Sequence, residues 1–178
     1  NRRLLLSPTA SGKSLMIYSI TRFFTNRGDN VLIVVPTTSL VEQMCGDFDT
    51  YGWSSADNCH KIYAGKDKHT SKQVTVTTWQ SIYKMPKSYF ETFDCVIGDE
   101  AHLFKAKSLI NIMTKLHNCK HRIGFTGTLD GSSTNQLVLE GLFGPVNKVV
   151  KTKQYPKGDI NHALRSFKKE LKEAGTLQ

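Results

Sequence analysis

The sequence lacks several features that would have placed it in particular protein classes. No run of apolar residues approaches the ~18–20 that a membrane span requires, and the first residues contain no signal-peptide hydrophobic region. The four cysteines are scattered without a Cys-x-x-Cys pair, at Cys45, Cys59, Cys95 and Cys119. They predict reduced thiols rather than a metal site or a disulfide framework. We therefore expect a cytoplasmic protein.

Basic residues exceed acidic ones. The chain has 24 lysines and arginines against 15 aspartates and glutamates, which gives a formal net charge of +9. The excess is uneven, because residues 147–178 carry eight basic and three acidic side chains. This balance favours a polyanionic partner, although a basic tail is also common in a solvated helix. With 178 residues and 39% apolar composition, we expect one domain with one core.

Strand-like and helix-like segments alternate along the chain. Val31–Val35 is a run of five apolar residues, which is typical of a strand covered on both faces. Predicted strands lie near residues 4–6, 31–35, 61–63, 74–77, 94–97 and 122–125, and predicted helices near 14–26, 38–51, 79–83, 106–116 and 133–142. This alternation predicts an α/β fold with a doubly wound, mostly parallel sheet flanked by helices.

The stretch from Ser7 to Ser14 follows the first apolar run and ends in Gly-Lys-Ser. This is the end of a phosphate-binding loop, whose backbone N–H groups form an anion-binding nest before a helix. Lys13 would reach the β- and γ-phosphates, and Ser14 would ligate Mg²⁺. The predicted nucleotide-binding residues are Thr9, Ala10, Ser11, Gly12, Lys13, Ser14 and Leu15. Ser7 stands where the usual pattern has glycine, and an incidental lysine in a polar loop is the alternative interpretation.

A second motif, Asp99-Glu-Ala-His102, follows the apolar strand near 94–97. A strand that ends in Asp-Glu is the usual place for a magnesium-holding carboxylate beside a water-activating one. Asp99 would hold Mg²⁺, and Glu100 would orient and deprotonate the attacking water. The alternative, a solvated helix N-terminus rich in acids, explains neither the apolar strand nor the upstream lysine loop. Lys13, Asp99 and Glu100 are the predicted catalytic residues.

Three further motifs also come directly after predicted strands: Pro36–Thr38, Thr77–Gln80 and Thr126–Thr128. Ligands of open parallel sheets bind at the carboxyl ends of the strands, so a common edge is expected for all five motifs. Backbone N–H groups and hydroxyls at helix starts bind phosphates without reading sequence, which makes Thr37, Thr38 and Thr78 candidates. Trp79 could stack on a base, or pack under the edge of the sheet, which we favour.

This set of motifs resembles the first, RecA-like motor lobe of superfamily-two helicases and translocases with a DEAH-type box. The matching stretches are residues 8–14, 34–40, 77–80, 99–102 and 126–128, within a resemblance that covers about residues 1–150. The residues between the motifs, such as Gln43-Met44, most resemble those of the UvsW-type helicases of T-even-like bacteriophages. Those helicases remodel branched DNA in recombination-dependent replication, which would place the chain in the host cytoplasm.

The resemblance implies an ATP-dependent helicase that uses ATP and Mg²⁺ and has nucleic acid as its partner, with branched DNA favoured. It assigns nucleic-acid contacts to Pro36, Thr37, Thr38, Thr78 and Trp79. It assigns the coupling of ATP state to lobe movement to His102, Thr126, Gly127 and Thr128. A duplex translocase that does not separate strands, and a non-enzymatic nucleic-acid-binding module with a vestigial ATP site, remain alternatives.

Residues 1–150 are expected to form this lobe, truncated at its N-terminus, and residues 151–178 a basic linker with an amphipathic helix. A second RecA-like lobe is expected to be absent from the chain. No arginine is placed as an arginine finger, a group worth roughly 10³–10⁵ in rate in related enzymes. We therefore expect the chain alone to bind MgATP weakly and hydrolyse it poorly.

Overall fold

The computed structural model describes residues 1–7, 12–63, 67–129 and 134–148. Its strands are β1 (Arg2–Leu6), β2 (Val31–Val35), β3 (Cys59–Ile62), β4 (Val74–Thr78), β5 (Cys95–Gly98), β6 (His121–Thr126) and β7 (Val146–Lys148). Its helices are α1 (Lys13–Asn26), α2 (Thr38–Thr50), α3 (Ser55–Asn58), α4 (Trp79–Ile82), α5 (Lys87–Phe90), α6 (Ala106–Lys115) and α7 (Gln136–Phe143). A short 3₁₀ turn, Ala101–Leu103, follows β5.

The strands form one sheet in the order β3-β4-β2-β5-β6-β1-β7. Every pair in the described sheet is parallel, with registers such as Leu6 opposite Thr126 and Gly98 opposite Gly124. The carboxyl ends of β1, β2, β4, β5 and β6 therefore share one edge. This confirms the predicted doubly wound parallel sheet, which here is parallel throughout.

Helices cover both faces of the sheet. On β2, Leu32 and Val34 belong to a core cluster under α4, α5, α6 and α7, while Val31, Ile33 and Val35 belong to a second cluster under α1 and α2. Successive strand residues point to opposite faces, so a continuous apolar run supplies both clusters. The apolar run thus fixes β2 as a central strand.

Phe143 packs closely against two strand glycines. A Cβ on Gly98 would lie 2.9 Å from Phe143 Cζ, and one on Gly124 would lie 2.8 Å from Phe143 Cγ. Glycine in a strand often marks such a close approach of a neighbouring group. Helix α7 therefore lies against β1 and β6, and its Phe143 ring reaches Gly98, the last residue of β5, next to Asp99.

Two short helices and one strand were not predicted, nor was the 3₁₀ turn Ala101–Leu103. Helix α3 is capped by the Ser54 hydroxyl, α5 follows Pro86, and β7 pairs with β1 at the sheet edge. Each has only three or four residues, too few for a periodic pattern. Helix α7 begins at Gln136, after an Asn135 cap, rather than near 133.

The predicted linker and amphipathic helix at 151–178 lie outside the described residues. Among the residues that are described, no helix is long and apolar enough to cross a membrane. The four cysteines are unpaired and buried.

Candidate functional site

The predicted phosphate loop leads into helix α1, which begins at Lys13. Gly12 precedes it with a φ of 75°, a left-handed conformation that glycine adopts without steric cost. The first turn of α1 contains no acidic residue, so no carboxylate of that turn competes for its N–H groups or for the positive end of its dipole. Leu15 is half exposed in this turn. Thr9, Ala10 and Ser11 lie outside the described residues.

Lys13 contacts both carboxylates that follow β5. Its Nζ lies 3.1 Å from Asp99 Oδ1 and donates a hydrogen bond to Glu100 Oε1. Burial raises the pKa of Asp99, which is only 3% exposed, and the nearby ammonium offsets this only in part. Burial would lower the pKa of Lys13, but the two carboxylates outweigh it and raise that pKa. The surroundings therefore favour the charged form of Lys13, while burial disfavours the ionised form of Asp99.

Glu100 has an unusual backbone conformation. Its φ is 49°, and it is the only non-glycine residue with a positive φ among those that the structure describes. Its N–H donates to Asp99 Oδ1 at 2.9 Å. A left-handed conformation costs a side chain about 1–2 kcal/mol, and such strain clusters at functional sites. The sharp turn brings both carboxylates to Lys13.

The donor atoms around Lys13 fit Mg²⁺. Ser14 and Asp99 line a cavity of about 180 Å³ together with Lys13, Glu100 and the helix α2 residues Leu40, Gln43, Met44 and Asp47. No group of three or more His, Cys, Asp or Glu that could hold a metal occurs in the described part of the chain. Mg²⁺ needs none, because it is commonly held by one or two protein oxygens, substrate phosphates and waters.

The structure brings the predicted coupling residues together beside Glu100. Thr126 Oγ1 lies 2.7 Å from His102 Nδ1 and donates to the Thr128 carbonyl. Since the one hydroxyl hydrogen goes to Thr128, Nδ1 must carry the proton in the contact with Thr126. The same Nδ1 lies 3.4 Å from Glu100 Oε2. A Cβ on Gly127 would lie 3.6 Å from Glu100 Oε2, in ordinary contact.

A second cleft, of about 570 Å³, lies beyond β2 and β4. Its lining contains four of the residues predicted to contact nucleic acid, Pro36, Thr37, Thr38 and Thr78, together with Tyr63, Lys68, Gln80 and Ser81. Gln80 Nε2 donates to the Pro36 carbonyl at 3.2 Å, which ties the two motifs to each other. Thr37 caps helix α2 and accepts from the Leu40 N–H. Hydroxyls, a helix N-terminus and a lysine thus face the same space.

Comparison with known proteins shows the family to which the chain belongs. The family model described as "Type III restriction enzyme, res subunit" matches residues 1–131. The chain belongs to this family. It is 37% identical over 156 residues to the ATP-dependent DNA helicase uvsW of Enterobacteria phage T4, over 85% of this chain and 31% of the relative. It is 28% identical over 152 residues to the DNA 3'-5' translocase XPB2 of Sulfurisphaera tokodaii, over 82% of this chain and 31% of the relative.

The solved structures agree with the sequence relatives. The crystal structure of T4 UvsW superimposes with a TM-score of 0.77 at 36% identity, over 83% of this chain and 31% of that one. The fold is RecA-like, and the chain corresponds to the first lobe of a superfamily-two helicase. It spans about a third of the length of these relatives.

Two side chains of this helicase lobe are buried away from both sites. Trp79 is 9% exposed and lies in the core cluster that contains Ile82 and Tyr89, which supports the packing interpretation over stacking on a base. The guanidinium of Arg122 donates to the carbonyls of Met113 and Leu116 at the end of α6. The Arg122 side chain therefore stabilises the end of helix α6 inside the core.

Sequence reasoning missed several residues that line the two cavities. Leu40, Gln43, Met44 and Asp47 form one face of helix α2 over the cavity beside Lys13. Their spacing of three and four residues would have placed them on one face. The spacing alone does not say that this face meets helix α1. Lys68, which lines the second cleft, was not among the predicted site residues.

Proposed function

We propose that this lobe binds MgATP and that its hydrolysis drives movement along, or remodelling of, DNA. The observation that carries the proposal is the contact of Lys13 with Asp99 and Glu100 at the N-terminus of helix α1. A lysine, two carboxylates and a helix start within one cavity match the parts that phosphoryl-transfer ATPases share.

Each residue has a role that follows from its chemistry. Gly12 and the start of α1 would receive phosphate oxygens, and Ser14 and Asp99 would hold Mg²⁺. Bound Mg²⁺ would neutralise charge that develops on the phosphates. Lys13 would exchange its carboxylate partners for phosphate oxygens, which leaves Glu100 Oε1 free to accept a proton from water.

The contacts of His102 support a role in coupling. His102 and Thr126 are both buried, and their hydrogen bond joins the turn after β5 to the end of β6. Through Nδ1, the same histidine is within reach of Glu100. A change in the partners of Glu100 can therefore be passed to Thr126–Thr128.

The cleft around Thr37, Thr38 and Thr78 is proposed to bind the phosphate backbone, with DNA as the favoured nucleic acid. Support comes from its hydroxyls, from the N-terminus of helix α2 and from Lys68. The names of both relatives refer to DNA. Branched DNA as substrate, a second RecA-like lobe as partner and a cytoplasmic location stay predictions from the sequence.

Steady-state ATP turnover with and without branched DNA tests the proposal, with Lys13→Ala as the blank. Wild-type turnover is expected to be low but above that of Lys13→Ala, and DNA is expected to stimulate it. Glu100→Gln should lower this turnover about 10²–10⁴-fold, the usual contribution of a general base, while MgATP binding persists. Turnover that is equal in all three proteins would refute the catalytic role. A strand-displacement assay then separates helicase activity from translocation along a duplex.

A further inference from the structure

The strongest contact that the roles above leave unexplained joins the nucleotide cavity to helix α2. Ser14 Oγ donates a hydrogen bond to Asp47 Oδ2 at 2.5 Å. Asp47 lies 33 positions along the chain from Ser14, on the helix packed beside α1, and lines the same cavity. An ionised carboxylate and a hydroxyl form one of the stronger hydrogen bonds in proteins.

The direction of this bond matters for a metal ligand. A serine hydroxyl has one hydrogen and two lone pairs. Asp47 can only accept when ionised, so the Ser14 hydrogen points at Asp47 and the lone pairs point elsewhere. A hydroxyl held in this way offers an oxygen to a cation without first having to turn its hydrogen aside. Outer partners of this kind fix the orientation of metal ligands and commonly change metal affinity 10–100-fold when removed.

The position of Asp47 on its helix supports a role at this site. Leu40, Gln43, Met44 and Asp47 all face the cavity, and the fully buried Val41, Cys45 and Phe48 anchor the adjoining face of the helix in the core. Helix α2 therefore presents the carboxylate to Ser14 from a rigid support. A loop residue would need ordering before it could do the same.

The geometry assigns Asp47 as a positioning residue that orients the Ser14 hydroxyl for magnesium. This assignment rests on the proposed function, since it concerns the same MgATP site. Asp47 acts through Ser14 and is not itself given a bond to the metal. The helix that orients the metal ligand also begins with Thr37 and Thr38 at the second cleft, so both sites depend on how α2 lies against α1.

The test is a magnesium titration of nucleotide binding rather than an activity assay. Fluorescent ADP is bound to the protein in EDTA and then at increasing Mg²⁺, with wild type, Asp47→Ala, Asp47→Asn and Glu42→Ala compared. Glu42 is the matched control, because it lies on the same helix but pairs with Lys61 at 2.7 Å, away from the cavity. Binding in EDTA also reports that each variant is folded.

For Asp47→Ala we expect a loss of about 10-fold or more in apparent Mg²⁺ affinity, with binding in EDTA unchanged. Asp47→Asn should keep most of the affinity, because its amide oxygen can still accept the Ser14 hydrogen. Glu42→Ala should match wild type. An Asp47→Ala titration that overlays wild type would overturn the assignment, as would an Asp47→Asn titration as poor as that of alanine. If wild type itself binds no nucleotide, the proposed function fails instead.

Discussion

The contact between Gly98 and Phe143 makes a prediction whose size follows from the structure. Gly98 ends β5 directly before Asp99, and a Cβ there would lie 2.9 Å from Phe143 Cζ and 3.4 Å from Cε1. Phe143 is 1% exposed, so its ring has little room to move. Overpacking of this kind costs about 1–3 kcal/mol. We expect Gly98→Ala to lower the free energy of unfolding by that amount and to weaken MgATP binding, because β5 positions Asp99.

A double-mutant cycle tests the cause. Phe143→Leu removes the Cζ and Cε1 atoms that the new methyl would meet, so the double variant Gly98→Ala/Phe143→Leu should be less destabilised than the sum of the single variants. A coupling of about 0.5–3 kcal/mol is typical of residues in contact. Urea unfolding gives each free energy, and fluorescent nucleotide binding shows whether the site recovers.

Two other glycines serve as controls. A Cβ on Gly124 would meet Phe143 Cγ at 2.8 Å and Leu4 Cδ1 at 2.9 Å. Leucine keeps a Cγ at position 143, so Phe143→Leu should not rescue Gly124→Ala. A Cβ on Gly141, in helix α7, would meet nothing within 4 Å, and Gly141→Ala should stabilise by about 0.5–1 kcal/mol. Strict additivity of Gly98→Ala with Phe143→Leu would refute this reasoning.

Two further predictions concern buried charges. Because burial raises the pKa of Asp99 above the ~3.9 of an unfolded chain, its contribution to stability is full below that pH and is lost as the pH rises through the folded pKa. The stability of Asp99→Asn relative to wild type should therefore increase as the pH rises above about 4. A difference in unfolding free energy that does not change with pH would contradict this. Arg122→Met removes the guanidinium that donates to the Met113 and Leu116 carbonyls, of which Leu116 still accepts the Cys119 N–H. It should cost about 1–3 kcal/mol in urea unfolding, whereas the exposed Arg3→Met should change stability by no more than about 0.5 kcal/mol.

Much of the fold could be predicted because its signals are local and long enough to repeat. The run Val31–Val35 supplies both faces of a central strand, and helices of ten or more residues, such as α1 and α2, show an apolar stripe. Strand β7 could not be found in this way. It has three residues, and it is a strand because it pairs with β1, more than a hundred positions earlier.

The candidate site was predictable to the extent that it depends on one edge of the sheet. Lys13 and Glu100 are 87 positions apart, and their contact follows once both are placed after parallel strands. The approach of Asp47 to Ser14 depends instead on how α2 packs against α1, which no local pattern specifies. The burial of Trp79 was favoured from the sequence but could not be settled by it, because an aromatic residue after a strand suits either a base or the core.

Equilibrium binding of a fluorescent ATP analogue to wild type, Lys13→Ala and Glu100→Gln, with Mg²⁺ present, tests the central claim most directly. It requires no turnover and therefore no second lobe. Wild type and Glu100→Gln are expected to bind, while Lys13→Ala should lose most of the affinity, because the ammonium that would meet the phosphates is gone. Absence of binding by wild type, or equal binding by Lys13→Ala, would contradict the assignment of this edge of the sheet as an ATP site.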